Sequence, residues 1–388
     1  MQNLLEHALF TGLVKIGRFL MRFYWCLFTV RSRIWLLLLS LGVAPFAWGD
    51  SVQPNAEYDS RLVLSHFNAD HPGRGVDSYD HQVLDHAMGY ALYAAAQVLN
   101  KDYRKAEVAL EWLATNSNEG IGWGLPFEWD AFSDGSVNSR NTVYGITVAW
   151  GVKALLDFTE GTGSDKYVWL IESVLDYYMG SFSVTPAGGY FWYSDSGSDD
   201  KNVHNVSAML AGQYARAGKL LNKKAYAELS ALAFRGVWGA RHDDGKGMHW
   251  RYSDFSNRPN DSVHAAYVVY GLSVYSQVVG EKLDLERACE YLLGFVSNGV
   301  AFEYNHLESL APSLSSRRAR SWGVGMMIFV LSDQGRLNDA DRFIKVLPDY
   351  DYGGGVFGLN VGERVFFPRV QGHIALGIAR RERSVLGF

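Results

Sequence analysis

The sequence predicts an all-α fold: an (α/α)6 toroid, a closed ring of six helical hairpins with short β-ribbons at one mouth. Three observations predict it. Long apolar segments of helical period recur along the 388 residues at nearly constant spacing. More charged, amphipathic segments alternate with them. Short stretches of alternating aromatic and polar residues stand ahead of several of the apolar segments.

The apolar series comprises His86 to Val98, Thr142 to Phe158, Asn205 to Leu221, His264 to Val279, Trp322 to Leu331 and Gln371 to Arg380. Charges are scarce beyond the opening turns, so these helices are expected to be covered nearly all round. The alternating series, Tyr103 to Asn116, Lys166 to Met179, Lys224 to Trp238, Asp284 to Val296 and Leu337 to Val346, keeps Lys, Glu and Asp on one side. One set is inside and the other outside. Six inner and at least five outer helices favour closure into a ring, because an open stack would leave apolar end faces in need of caps.

The ribbons are "GLPFEWDAF" from Gly124, "GGYFWYSDS" from Gly188, "GMHWRYSDF" from Gly247 and "VAFEYNHLE" from Val300. Alternation of period two with aromatics reads as strand. A polar loop leads from each ribbon into the next inner helix, which gathers the inner N-termini at one mouth. Unpaired N–H groups and the positive dipole ends there favour anionic ligands. Aromatic faces such as Trp129, Tyr190, Trp192 and Trp250 suit stacking on sugar rings.

Composition narrows the partners. A net charge of −5 provides no basic footprint for nucleic acid. Aromatics reach 14%, with 12 Trp and 22 Tyr, enough to line a cleft as well as a core. Arg31 and Arg33 precede an apolar run from Ile34 to Phe46 and the small-residue end Ala47-Trp48-Gly49. Residues 1–49 therefore read as a signal peptide or an N-terminal anchor, and 50–388 as the toroid domain, in a periplasmic or secreted protein. An uncleaved anchor would associate the chain with a membrane. Of the two cysteines, Cys26 falls in the leader, and Cys289 reads as a buried thiol with no partner for a disulfide. No metal or other cofactor is implied. "DYGGGVFGLNVG" reads as a turn before the last ribbon and "SDSGSDD" as a solvated loop.

"GGYFWYSD"-like turns between helical hairpins, together with "GWGLPFEWD" followed by "NTVYGITVAWGVKALL", resemble the toroid enzymes that act on polysaccharides. The likeness is to the helical domain of glucuronyl C5-epimerases and to uronate polysaccharide lyases, and covers roughly Tyr79 to Arg380. It implies an acidic polysaccharide as partner. Proton abstraction beside a carboxylate needs a Tyr or His base and a group that neutralises the carboxylate. His264 and His204, each in the first turn of an inner helix, and Tyr252 and Tyr193 are the candidate acid/base residues, with His249, His306 and Tyr304 nearby. Asp261 stands one turn ahead of His264 as its orienter. Arg140, Asn141, Asn205, Arg251 and Arg320 are the candidate carboxylate holders. A glycoside hydrolase on the same scaffold is the alternative; it would draw two carboxyls from Glu128, Asp130, Asp254, Asp261 and Glu303. A further alternative is a binding or biosynthesis factor that uses the cleft without turnover.

Overall fold

The structure is a computed structural model and describes residues 58–387. The expected leader at 1–49 lies outside the described residues. Six long helices form the inner layer: α2 (Ala87–Leu99), α4 (Gly145–Thr162), α6 (His204–Leu220), α8 (Ser262–Val279), α11 (Ser321–Asp333) and α13 (Pro368–Val385). Outside them stand α1 (Ser60–Ser65), α3 (Tyr103–Thr115), α5 (Val168–Tyr178), α7 (Lys224–Gly239), α9 (Glu286–Leu293) and α12 (Leu337–Ile344), and α10 (Pro312–Ser315) is a single turn in a connecting loop. Each inner helix packs on the next, and α13 packs back on α2. The ring is closed.

The inner layer is apolar all round because it has neighbours all round; in α11 every residue from Ser321 to Ser332 is buried. The sixth outer helix, α1, packs on α13. Its six residues are too few to show a period, which hides it in the sequence. It is tied in by Ser60, whose amide and hydroxyl both donate to the Glu382 carboxylate, at 3.0 and 2.5 Å.

Glycines set how closely the inner helices approach. A Cβ built on Gly271 of α8 would stand 2.3 Å from the Ala208 backbone of α6, nearer than any real contact. Gly271→Ala is therefore expected to force the two helices apart and cost about 1–3 kcal/mol, as for other overpacked cores. A fall in the denaturant midpoint checks it.

Five antiparallel two-stranded ribbons accompany the helices: β1 (Arg74–Val76) with β2 (Val83–Asp85), β3 (Phe182–Thr185) with β4 (Gly188–Phe191), β5 (His242–Asp244) with β6 (Gly247–His249), β7 (Arg251–Ser253) with β8 (Ser256–Pro259), and β9 (Val296–Ser297) with β10 (Val300–Ala301). The Gly124 stretch is held only by isolated bridges, Gly124 to Val143 and Trp129 to Asn138. "GMHWRYSDF" is not one ribbon: Gly247–His249 pairs backward with β5, and Arg251–Ser253 pairs forward with β8. The change of partner sends the side chains before and after Trp250 to different layers. Asp199, expected in a solvated loop, is fully buried and accepts from Asn138 Nδ2 at 2.6 Å and Ser194 Oγ at 2.7 Å. Cys289 is buried, as expected.

Candidate functional site

A recess of about 670 Å³, partly open to solvent, lies at the mouth where the inner helices begin. All six contribute from their starts: His86 and Met88 at α2, Tyr144 to Thr147 at α4, Asn205 at α6, Val263, His264 and Tyr267 at α8, Trp322 at α11, Arg369 and His373 at α13. Tyr79, Leu125, Trp129 and Tyr193 wall it from the ribbons and loops. Such convergence follows from ring closure: six helices that start on one side must aim their first turns at the axis.

His264 is the histidine with a geometry for acid/base work. Asp261 caps α8 by accepting the His264 amide at 3.2 Å, and the same carboxylate oxygen lies 2.7 Å from His264 Nδ1. With Nδ1–H donated to a carboxylate, Nε2 carries the free lone pair. Tyr252 meets the imidazole edge-on at 5.2 Å. Asp261 is 1% exposed, and burial by itself would raise its carboxyl. His264, Arg320 and Arg258 outweigh burial and hold it well below the usual carboxylate range, so it stays ionised beside the ring. Arg320 is shared between Asp261, at 3.5 Å, and the buried Glu303, at 2.5 Å.

A second chain of hydrogen bonds crosses the floor. His373 Nδ1 donates to the Arg369 carbonyl at 2.7 Å, which leaves Nε2 to accept the Tyr267 hydroxyl at 2.5 Å. Burial pushes the His373 imidazole down to about 3, so it is neutral and can accept. His86 is held neutral as well, first by burial and then by the field of Arg369.

The other candidates from the sequence separate into four groups. Trp129 and Asn205 line the recess with His264 and Tyr193, and Trp129 packs on Tyr79 at 4.7 Å. Tyr252, Asp261 and Arg320 stand directly behind His264, and Tyr304 is buried beyond them under Arg258. Tyr190 and Asp254 lie beside a neighbouring hollow of about 830 Å³, lined also by Phe132, Asp134, Asp200, Lys201, Asn202 and Phe255. Tyr193 joins the two spaces by packing on Phe132 at 4.9 Å.

The fourth group does not reach the recess. His204 is 2% exposed, and both of its ring nitrogens are occupied, Nδ1 at the Arg251 carbonyl (2.8 Å) and Nε2 at Asp254 (2.7 Å). It fastens α6 to β7. His249 stacks on Tyr291 of the outer layer at 4.6 Å, and Trp250 donates its indole N–H to the Val237 carbonyl of α7. His306 donates from Nδ1 to the Gly294 carbonyl, and Arg251 pairs with Asn257. Trp192 donates to Ser183 at 2.8 Å. Asp130 accepts the amides of Phe132, Asp134 and Gly135 and so shapes its own loop. Glu128, Arg140 and Asn141 are exposed outside the recess lining. Of His204, His249, His264 and His306, His264 alone lines the recess.

Tyr79, His86, Tyr267, Trp322, Arg369 and His373 also line the recess, beyond the residues that the sequence singles out. A signal exists for two of them: His86 and Trp322 open inner helices as the sequence delimits them, whereas Arg369 stands two residues ahead of the expected start at Gln371, in the first turn of α13.

No protein-family model matches the chain, and no curated protein is similar to it. Solved structures share its fold. An α-1,6-mannanase, GH76A from Salegentibacter sp. HEL1_6, superposes with a TM-score of 0.59 at 10% identity, over 83% of this chain and 96% of that one. A novel α-amylase from Clostridium perfringens gives 0.61 at 12% identity, over 84% and 99%. A sugar epimerase from a ruminal bacterium gives 0.56 at 11% identity, over 83% and 95%. At such identities the likeness establishes the (α/α)6 toroid.

Proposed function

We propose that this protein is an enzyme that acts on a polysaccharide, holding one sugar unit in the recess while the rest of the polymer lies across the ribboned mouth. One observation carries the reading: the first turns of all six inner helices and four ribbon and loop side chains meet in a single aromatic recess with polar groups at its floor. The activities named for the structural neighbours, α-mannanase and α-amylase among them, support glycoside hydrolysis more than lyase or epimerase chemistry. Under hydrolysis the two carboxyls come from the rim, where Asp200 and Asp254 line the hollow next to the recess and Glu128 stands exposed beside Trp129.

Proton transfer at a sugar carbon is the second reading, and a specific observation favours it. No Asp or Glu is among the sixteen residues that line the recess, whereas His264 and Tyr267 are. His264 Nε2 would take the proton from carbon, with the electron pair moving into the adjoining carbonyl or carboxylate. The apolar run at Ile34 to Phe46 supports action outside the cytoplasm on either reading.

Incubation with α-1,6-mannan and with uronate polymers tests both. New reducing ends without unsaturation indicate hydrolysis. Absorbance of an unsaturated uronate indicates elimination, and uptake of solvent deuterium without cleavage indicates epimerisation. A folded protein that neither changes nor binds any of these polymers would falsify the proposal.

A further inference from the structure

The polar groups of the recess are divided by kind. Along the arc formed by α2, α11 and α13, three side-chain N–H groups have no hydrogen-bond acceptor among the described residues: His86 Nε2, Trp322 Nε1 and Arg369 Nε. Their residues are 4, 5 and 7% exposed and line the same recess. His86 Nδ1 accepts the Met88 amide at 3.3 Å, so the ring proton of the neutral imidazole sits on Nε2, and that atom is a donor. The Arg369 guanidinium sits in the corner between the Tyr79 and Trp322 rings, 4.5 and 4.6 Å from their centres, and donates to Ser78. Its plane is fixed before any ligand arrives. Facing this arc, α6 and α8 present acceptors. Asn205 Oδ1 has no donor, and Tyr267 has committed its hydroxyl proton to His373.

A buried donor without an acceptor is destabilising, so three on one wall is an arrangement that a ligand would relieve. A sugar hydroxyl suits it poorly, because it brings a donor of its own. A carboxylate brings acceptors alone, about four lone-pair directions on two oxygens. An acid on that side, Asp77, lies 3.6 Å from His86 Nε2, and its Oδ1 accepts the amides of Tyr79 and Asp80. Asp77 offsets the charge of Arg369, and selection therefore rests on donor placement more than on net charge.

We propose that His86, Trp322 and Arg369 form a carboxylate cradle, which makes the sugar unit in the recess a uronate. The assignment rests on the polysaccharide reading and holds for either reaction. It moves the carboxylate-holding role from Arg140, Asn141, Arg251 and Arg320 to side chains at the starts of α2, α11 and α13.

The test is calorimetric binding by the full chain of oligouronates prepared from alginate and from pectin, of the same oligomers with their carboxyls reduced to primary alcohols, and of α-1,6-mannan oligomers. The acidic oligomers are expected to bind about tenfold or more tightly than their reduced forms. Arg369→Met is expected to abolish that preference. Trp322→Phe, which keeps the ring and removes only the N–H, guards against misfolding of the arginine variant and is expected to weaken the preference several-fold. Equal binding of acidic and reduced oligomers by the unaltered protein overturns the cradle and leaves the polysaccharide reading standing, as does a preference that survives both substitutions. Failure of the folded protein to bind any oligomer overturns both.

Discussion

Under proton transfer at a sugar carbon, His264→Gln is expected to lower turnover by about 10²- to 10⁴-fold, the range lost when a general acid or base is removed, with the thermal midpoint nearly unchanged. The imidazole is only partly buried, and its loss takes from the fold a single bond to Asp261. Asp261→Asn should behave differently. It weakens the orientation of the ring and also leaves Arg258 and Arg320 facing a neutral, buried partner, so activity and stability fall together. Rates and melting curves of the two variants, measured side by side, separate catalysis from positioning. The comparison also decides between the two chemistries. If rim carboxyls carry out hydrolysis, Asp254→Asn becomes the damaging change and His264→Gln retains most activity.

Stability is expected to drop markedly between pH 7 and pH 5. His373 titrates near 3 in the fold because burial disfavours its charged form, against about 6.5 in an unfolded chain. Its folded value is depressed, so between these limits the unfolded state binds the additional proton, and stability rises with pH. The contribution is fully present above about 6.5 and falls by about 1.4 kcal/mol per pH unit below it. Burial and Arg369 shift His86 in the same direction, and its loss adds to that of His373. Asp261, depressed by its cationic neighbours, adds a further loss only below the carboxylate range, near 3.8 and under. Denaturant midpoints at pH 7, 6 and 5 measure the slope. His373→Gln, which still offers the Tyr267 hydroxyl an acceptor, should flatten it. A level profile in the unaltered protein over that interval would contradict the burial of both rings.

By itself the sequence determined the alternation of inner and outer helices, the closure of the ring and the mouth at which the site lies. These follow from period, charge distribution and the need to cover apolar faces, all of which are local or additive along the chain. It also marked His264 with Asp261, because an N-cap and the side chain one turn on are neighbours by helix geometry alone. Only the tertiary structure decided which way each aromatic ribbon turns. The change of strand partner at Trp250 carries His249 outward and leaves Tyr252 behind His264, and no repeat pattern specifies such a switch. His204 and His264 occupy like places at the starts of α6 and α8. Asp254 and the Arg251 carbonyl, both from the β7 ribbon, occupy the two nitrogens of one, whereas the other keeps an open face. The pairing of His86, Trp322 and Arg369 joins residues up to 283 positions apart by numbering, 86 to 369. Contacts at that range arise from the path of the backbone around the ring, and side-chain types read along the chain do not encode them.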